Sequence, residues 1–250
     1  MNLRNFLGAF CFIITACFLS GCFNIVEEIT INKDGSGTYS YSIDGSEIKK
    51  MVEGFARNQP KKPEADSSAQ QSIPSASDPD SNKMERAIRH ISSMPGISNA
   101  KSLFDSTQMR FGYAFDFDHL DHMVEAIKTG TAELAMGLWN EESKIEQTKK
   151  QFLRTYGSDS FQDALMELFA KKGAEEGREI SGMEGILKMM LGSMSLKQVY
   201  HFPDRKVKNC NHPMAKISKD KHTVTIFTEP FQEQTSKSAK TPATLKIKLK

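Results

Sequence analysis

Ile25-Val26-Glu27-Glu28-Ile29-Thr30-Ile31, Asn32-Lys33-Asp34-Gly35-Ser36, Gly37-Thr38-Tyr39-Ser40-Tyr41-Ser42-Ile43: two alternating runs around an Asp-Gly pair decide how this chain folds. The Asp-Gly pair supplies the positive φ that a hairpin turn needs. Ile29 and Ile31 alternate with Thr30, and Tyr39, Tyr41 and Ile43 with Ser40 and Ser42. Two antiparallel strands with one apolar and one polar face are therefore expected. Such a ribbon is too small to stand alone and must pack along one side.

Before the hairpin, Met1-Asn2-Leu3-Arg4 opens a stretch whose residues from Phe6 to Leu19 are mostly apolar, and Leu19-Ser20-Gly21-Cys22 closes it. A basic start, a short apolar middle and small residues at the cut describe a secretory signal; a membrane span would need about twenty apolar residues. The Leu-Ser-Gly-Cys run resembles the lipobox of bacterial lipoproteins. That resemblance implies a diacylglyceryl group on the Cys22 thiol, removal of residues 1–21 and acylation of the new amine. One acyl chain, at about 0.8 kcal/mol per buried methylene, binds a membrane only marginally, whereas two or more hold it stably. Cys11 and Cys17 do not stand after such a run.

Composition narrows the possible roles. Removing 1–21 takes away Arg4 and no acid, so the formal charge of +2 falls to +1, too weak a field to recruit nucleic acid. With Cys11 and Cys17 gone and Cys22 acylated, Cys210 has no disulfide partner, and packing alone must hold the fold. Phe23 stands where lipoproteins retained at the inner membrane of diderm bacteria often carry aspartate, which favours the outer membrane.

Downstream, Ile48, Met51, Val52 and Phe55 mark one face of a helix capped by Asp44 or Ser46, completing a first strand-strand-helix unit over 22–57. Residues 58–82 hold Pro60, Pro63, Pro74 and Pro79 among polar residues and read as a disordered excursion within the domain. Over 83–129, Met84, Ala87, Ile88 and Ile91 share a helix face. Ile97 to Phe104 and Gln108 to Phe117 read as strands, and Leu120, Met123, Val124 and Ile127 stripe a helix capped by Asp116 or Asp118. Residues 130–196 read as a helical insertion. In it Leu138, Ile145 and Phe152 recur at sevens, Phe161 to Phe169 and Met183 to Leu191 form apolar faces, and glycines interrupt at about 1 kcal/mol each. Residues 197–250 return to strands: Lys197 to Phe202, Ala215 to Ser218, Thr223 to Phe227 and the alternating Leu245 to Lys250. Lysines along one face of the last suit an exposed sheet surface or a guarded edge. The expectation is an α+β fold: a mainly antiparallel sheet from three hairpin regions, helices on one face, and a helical insertion.

Three groupings invite a chemical reading. Asp116, Asp118, His119, Asp121 and His122 gather carboxylates and imidazoles at helical spacing, where a divalent metal could bind; helix-start residues and solvated histidines explain them better, so no metal site is assigned. Cys210-Asn211-His212 places a thiol beside an imidazole, but neighbours in one loop rarely meet in nucleophile-base geometry. No phosphate-cradling glycine loop, zinc quartet or dinucleotide fingerprint is present, so neither enzyme activity nor a cofactor is expected. Met183, Met189, Met190 and Met194 form a flexible stripe that suits either core or an apolar pocket.

The layout resembles uncharacterised outer-membrane lipoproteins of Bacteroidetes-type bacteria. The likeness rests on the lipobox, the Lys33-Asp34-Gly35-Ser36-Gly37 turn between strands and the later Pro95-Gly96-Ile97 before paired strands. A hairpin just after the anchor is also similar to lipid-binding lipoprotein domains of mycobacterial type. The resemblance implies location rather than mechanism. The expected role is a lipid-anchored, non-catalytic envelope protein that binds or scaffolds other components at the outer membrane; the alternative is a carrier or sensor of a lipid or other apolar ligand. An enclosed apolar cavity would favour the carrier, and a filled core with an exposed apolar patch the scaffold.

Overall fold

The computed structural model describes residues 23–46, 79–105, 107, 109–134, 139, 142–156, 192, 194–229 and 242–250. The signal with Cys22, the helix expected over 48–55, most of the excursion over 58–82, the helices over 161–169 and 183–191 and the polar stretch 232–241 lie outside the described residues. What is described is α+β, with two sheets and two long helices.

The opening hairpin forms as its alternation predicts. Strand β1 (Phe23–Ile31) pairs antiparallel with β2 (Gly37–Asp44), Ile29 opposite Tyr39 and Glu27 opposite Tyr41. Gly35 turns the chain at φ 93°, and Asp34 Oδ1 accepts the Ser36 N–H at 3.0 Å. Strands β3 (Ile97–Ser102) and β4 (Arg110–Phe117) extend the sheet beyond β2. On the other side β1 meets β7 (Met194–His201) in parallel, Phe23 beside Met194 and Thr30 beside His201. Strands β10 (Thr223–Thr228) and β9 (Ala215–Ile217) come next, giving the order β3-β4-β2-β1-β7-β10-β9. The apolar phase of these strands faces one way. Tyr39, Tyr113 and Phe115 stand as a cross-strand aromatic row, with centroids 5.3 to 6.2 Å apart.

Two layers cover that face. Over β3 and β4 lie α1 (Pro79–Ser92) and α2 (Leu120–Leu134), which bury Met84, Ala87 and Ile91 and Leu120, Met123, Ala126 and Ile127. Over β1, β7 and β10 lies a second sheet of β5 (Lys144–Gln147), β6 (Gln151–Thr155), β11 (Thr244–Leu249) and β8 (Val207–Cys210), in the order β5-β6-β11-β8. Phe152 of β6 meets Tyr200 and Phe202 at 5.4 and 5.8 Å, joining the two sheets in one core.

Three expectations need correction. Residues 144–155, read as part of a helical insertion over 130–196, form the β5–β6 hairpin, and β7 begins inside that range at Met194. The sevenfold recurrence of Ile145 and Phe152 arises because both are inward positions on strands flanking the Thr148–Lys150 turn. Secondly, the C-terminal strands do not complete one sheet: β11, with the unforeseen β8, belongs to the second. There β11 is interior, so Lys246 and Lys248 mark an exposed face rather than an edge. Thirdly, neither Asp116 nor Asp118 caps α2. His119 does, its carbonyl accepting the Met123 N–H at 3.1 Å and its Nδ1 facing the Asp121 N–H at 3.4 Å.

Candidate functional site

The most concentrated polar chemistry lies inside the core, between the sheets. Glu27 shares the inward face of β1 with Ile25, Ile29 and Ile31 and is 1% exposed. Arg154 reaches it from β6, 2% exposed, and clasps it with both terminal nitrogens: Nη2 donates to Oε1 at 3.1 Å and Nη1 to Oε2. Trp139 Nε1 donates to Oε1 at 2.9 Å, Gln198 Nε2 to Oε2 at 2.9 Å, and the Tyr39 hydroxyl to Oε1 at 3.3 Å. Arg154 Nη1 also donates to the Tyr200 hydroxyl at 2.9 Å, and its guanidinium carbon stacks 4.3 Å from the Trp139 ring centre and 4.9 Å from that of Tyr156.

Burial alone would push the Glu27 carboxyl up; the charge of Arg154 and the hydrogen bonds from Arg154, Gln198 and Trp139 outweigh it and hold the group below its ordinary value. Burial pushes the Tyr39 and Tyr200 hydroxyls well up, so they remain proton donors. A carboxylate held acid, with five donors on two oxygens and no exposure, is a poor proton acceptor for any substrate. What this cluster does is tie β1, β2, β6 and β7 in one register. Beside it the Tyr113 hydroxyl, fully buried and near that of Tyr39, has no well-aligned partner among the described residues.

The next residue along β1 faces the other way. Glu28 Oε1 lies 2.6 Å from His201 Nε2, and His201 Nδ1 lies 2.9 Å from Thr223 Oγ1. Carboxylate, imidazole and hydroxyl in line is the order of an orienter, a base and a nucleophile. Among the described residues no oxyanion cradle accompanies it at Thr223, whose own N–H is committed to Ser218 Oγ at 3.0 Å. The trio spans β1, β7 and β10 on a half-exposed sheet face and cross-links the parallel pair to its neighbour.

Sequence-expected sites fare differently. Cys22 lies outside the described residues, immediately before β1. Among the described residues no helix is long and apolar enough to cross a membrane. The histidines of the 116–122 run are taken up locally, His122 Nδ1 by Asp118 at 2.6 Å and His119 Nδ1 by Asp121 at 3.3 Å, while Asp116 accepts the Asn99 side-chain amide at 2.6 Å. Gly96, at φ 72°, backs this corner: a Cβ there would meet His122 Nδ1 at 2.1 Å. Burial raises the Cys210 thiol and lowers His212, whose Nδ1 accepts the Met214 N–H at 3.1 Å; the pair does not form a nucleophile and its base. Of the methionine stripe, Met194 is a buried residue of β7, and the other three lie outside the described residues.

The buried cluster was not foreseen, although one signal for it exists. Glu27, Arg154 and Gln198 each occupy the apolar phase of a strand, two residues from Ile29, Phe152 and Tyr200. No protein-family model and no curated protein matches the chain. Among solved structures, the folded domain of LppM of Mycobacterium tuberculosis, determined by NMR, is similar. The TM-score is 0.42 at 9% identity, over 92% of this chain and 90% of that one. The functional reading therefore stands on this chain's own residues.

Proposed function

We propose a lipid-anchored, non-catalytic protein of the cell envelope, held by acylated Cys22 at the outer membrane, that binds or scaffolds other envelope proteins. The observation that carries this is a filled core beside an exposed apolar margin. Tyr39, Tyr113, Tyr200, Phe115, Phe152 and Phe202 are fully buried, while Met214, Ile217 and Phe227 are 51%, 39% and 41% exposed where β9 and β10 end the seven-stranded sheet. Large exposed apolar groups beside an edge strand suit a protein partner. A lipid carrier would need an enclosed apolar cavity; among the described residues those rings fill the space between the layers, and the groove of about 580 Å³ along Thr38, Ser40, Lys101 and Asp116 is open to solvent. With β1 starting one residue after Cys22, the folded part stands on the bilayer almost without a tether.

The test uses the full chain in its own envelope. Cys22→Ser should abolish palmitate labelling and either release the protein from membranes or leave it unprocessed. A photo-crosslinker at position 227 should give one discrete protein adduct that Met214→Lys removes. Labelling that persists in Cys22→Ser defeats the anchor; absent adducts together with co-purified lipid would replace the scaffold by the carrier.

A further inference from the structure

Strand β1 carries the chain nine residues from Phe23 to a pole where the turns of both sheets converge. Hydrogen bonds interlock them. The Lys33 N–H donates to Asp204 Oδ2 at 3.0 Å, Gln147 Nε2 to the Asn32 carbonyl at 3.3 Å and the Val207 N–H to the Lys221 carbonyl at 2.6 Å. The Leu249 N–H donates to the Lys150 carbonyl at 2.8 Å. At the centre is Arg205, 7% exposed, which donates from Nη1 to the Thr148 carbonyl at 3.0 Å. Its Nε and Nη2 have no hydrogen-bond partner among the described residues, and neither has Gln147 Oε1, next in the chain to Thr148.

Those two nitrogens form the edge of a guanidinium that matches an oxyanion with two parallel bonds. A buried donor pair without an acceptor is expensive, and more so on a charged group. Lys33, Lys149, Lys150, Lys206 and Lys221 are all exposed on the same turns. The acids nearest to them in sequence are committed to the turns: Asp34 holds Ser36, Asp204 holds Lys33 and Asp220 holds Ser218 and His222. These three carboxylates keep their charge, and that of Asp204 acts on Arg205 itself; against Arg205 and the five lysines they still leave the turns three positive charges in excess, on a chain whose total is only +2.

We propose that this pole is an oxyanion site: a phosphate or carboxylate of an acidic ligand seats on the Nε and Nη2 edge of Arg205, and the surrounding lysines hold the ligand's remaining charge. Both nitrogens are shut off from solvent, so the side chains over them move aside as the ligand enters. Nothing in this rests on Cys22 or on the apolar margin, whose Met214 and Phe227 lie toward the opposite end of β10.

The experiment follows the Arg205 Nε–Hε NMR signal of the whole protein in detergent, assigned by its loss in Arg205→Lys, during titration with tripolyphosphate and, as the carboxylate arm, polyglutamate. One of the two should shift the signal saturably and so name the group. Arg205→Lys, which keeps the charge and loses the fork, should bind that probe about tenfold more weakly. Lys149→Gln with Lys150→Gln should weaken binding about threefold and flatten its salt dependence. If Arg205→Lys does not fold, the wild-type signal, assigned through its backbone, still decides. A signal unmoved by both probes, equal affinity in Arg205→Lys, or a crystal grown with the probe that places only a water between Gln147 Oε1 and Arg205 would overturn the site.

Discussion

Glu27 and Glu28 are neighbours in one strand, and they live in different solvents. The first lies between two sheets, 1% exposed, with five donors on its carboxylate; the second lies on the outer face, its side chain 45% exposed, bound to one imidazole. The pleat alone separates them, because successive side chains of a strand point to opposite faces. A carboxylate on the wet face costs little to keep and is worth little when paired. One on the dry face must be fully met by donors, since an unpaired charge there would unfold its surroundings. The lesson is that an ion pair's role depends on the face it occupies rather than on its residue types.

The sharpest way to break this contrast is to remove one partner on each side. Arg154→Ala leaves Glu27 in the core without its counter-charge, with only the Trp139, Gln198 and Tyr39 donors, and should cost about 3–5 kcal/mol in urea unfolding. Replacing both members, Glu27→Leu with Arg154→Met, should recover most of that loss, because the desolvation of two charges disappears together. If the double variant is no more stable than Arg154→Ala, packing around the pair matters more than its charge.

Acid provides the next largest effect. The folded-state pKa of Glu27 lies below the ordinary 4.5, so the native state favours the charged form. Its contribution is complete above that ordinary value and is lost as pH falls from there through the folded pKa. Stability measured from pH 6 downward should therefore decline below about 4.5, and Glu27→Gln should flatten that part of the curve. An unchanged slope in Glu27→Gln would assign the acid sensitivity to other carboxylates.

The smallest effect belongs to the outer face. Glu28→Ala should change unfolding stability by about 0–1 kcal/mol, screened further by salt. A loss as large as that of Arg154→Ala would mean that the His201 trio is not solvated as its exposure indicates.

Much of the architecture was legible along the chain. The Asp34-Gly35 turn, the alternation of Tyr39 and Tyr41 and the helical spacing of Leu120, Met123 and Ile127 are local signals, and each element formed where its pattern lies. The β5–β6 hairpin was not legible, because Ile145 and Phe152 fit a heptad as well as two strands about a short turn, and only pairing with β11 distinguishes them. The caps of α2 misled for a related reason: Asp118 is drawn to His122 one turn on, leaving His119 at the helix start.

Taken by itself, the amino-acid sequence determined the hairpin, the α+β class and the inward phase of Glu27, because turn chemistry and side-chain period are properties of a few consecutive residues. Only the tertiary structure decided what meets that carboxylate. Arg154 lies 127 residues away on a separate sheet, and β7, which supplies Gln198, runs parallel to β1 after a connection of more than 150 residues. No local pattern encodes such a partner. It is chosen by which faces the two sheets can bury together, a free energy that belongs to the whole packed core.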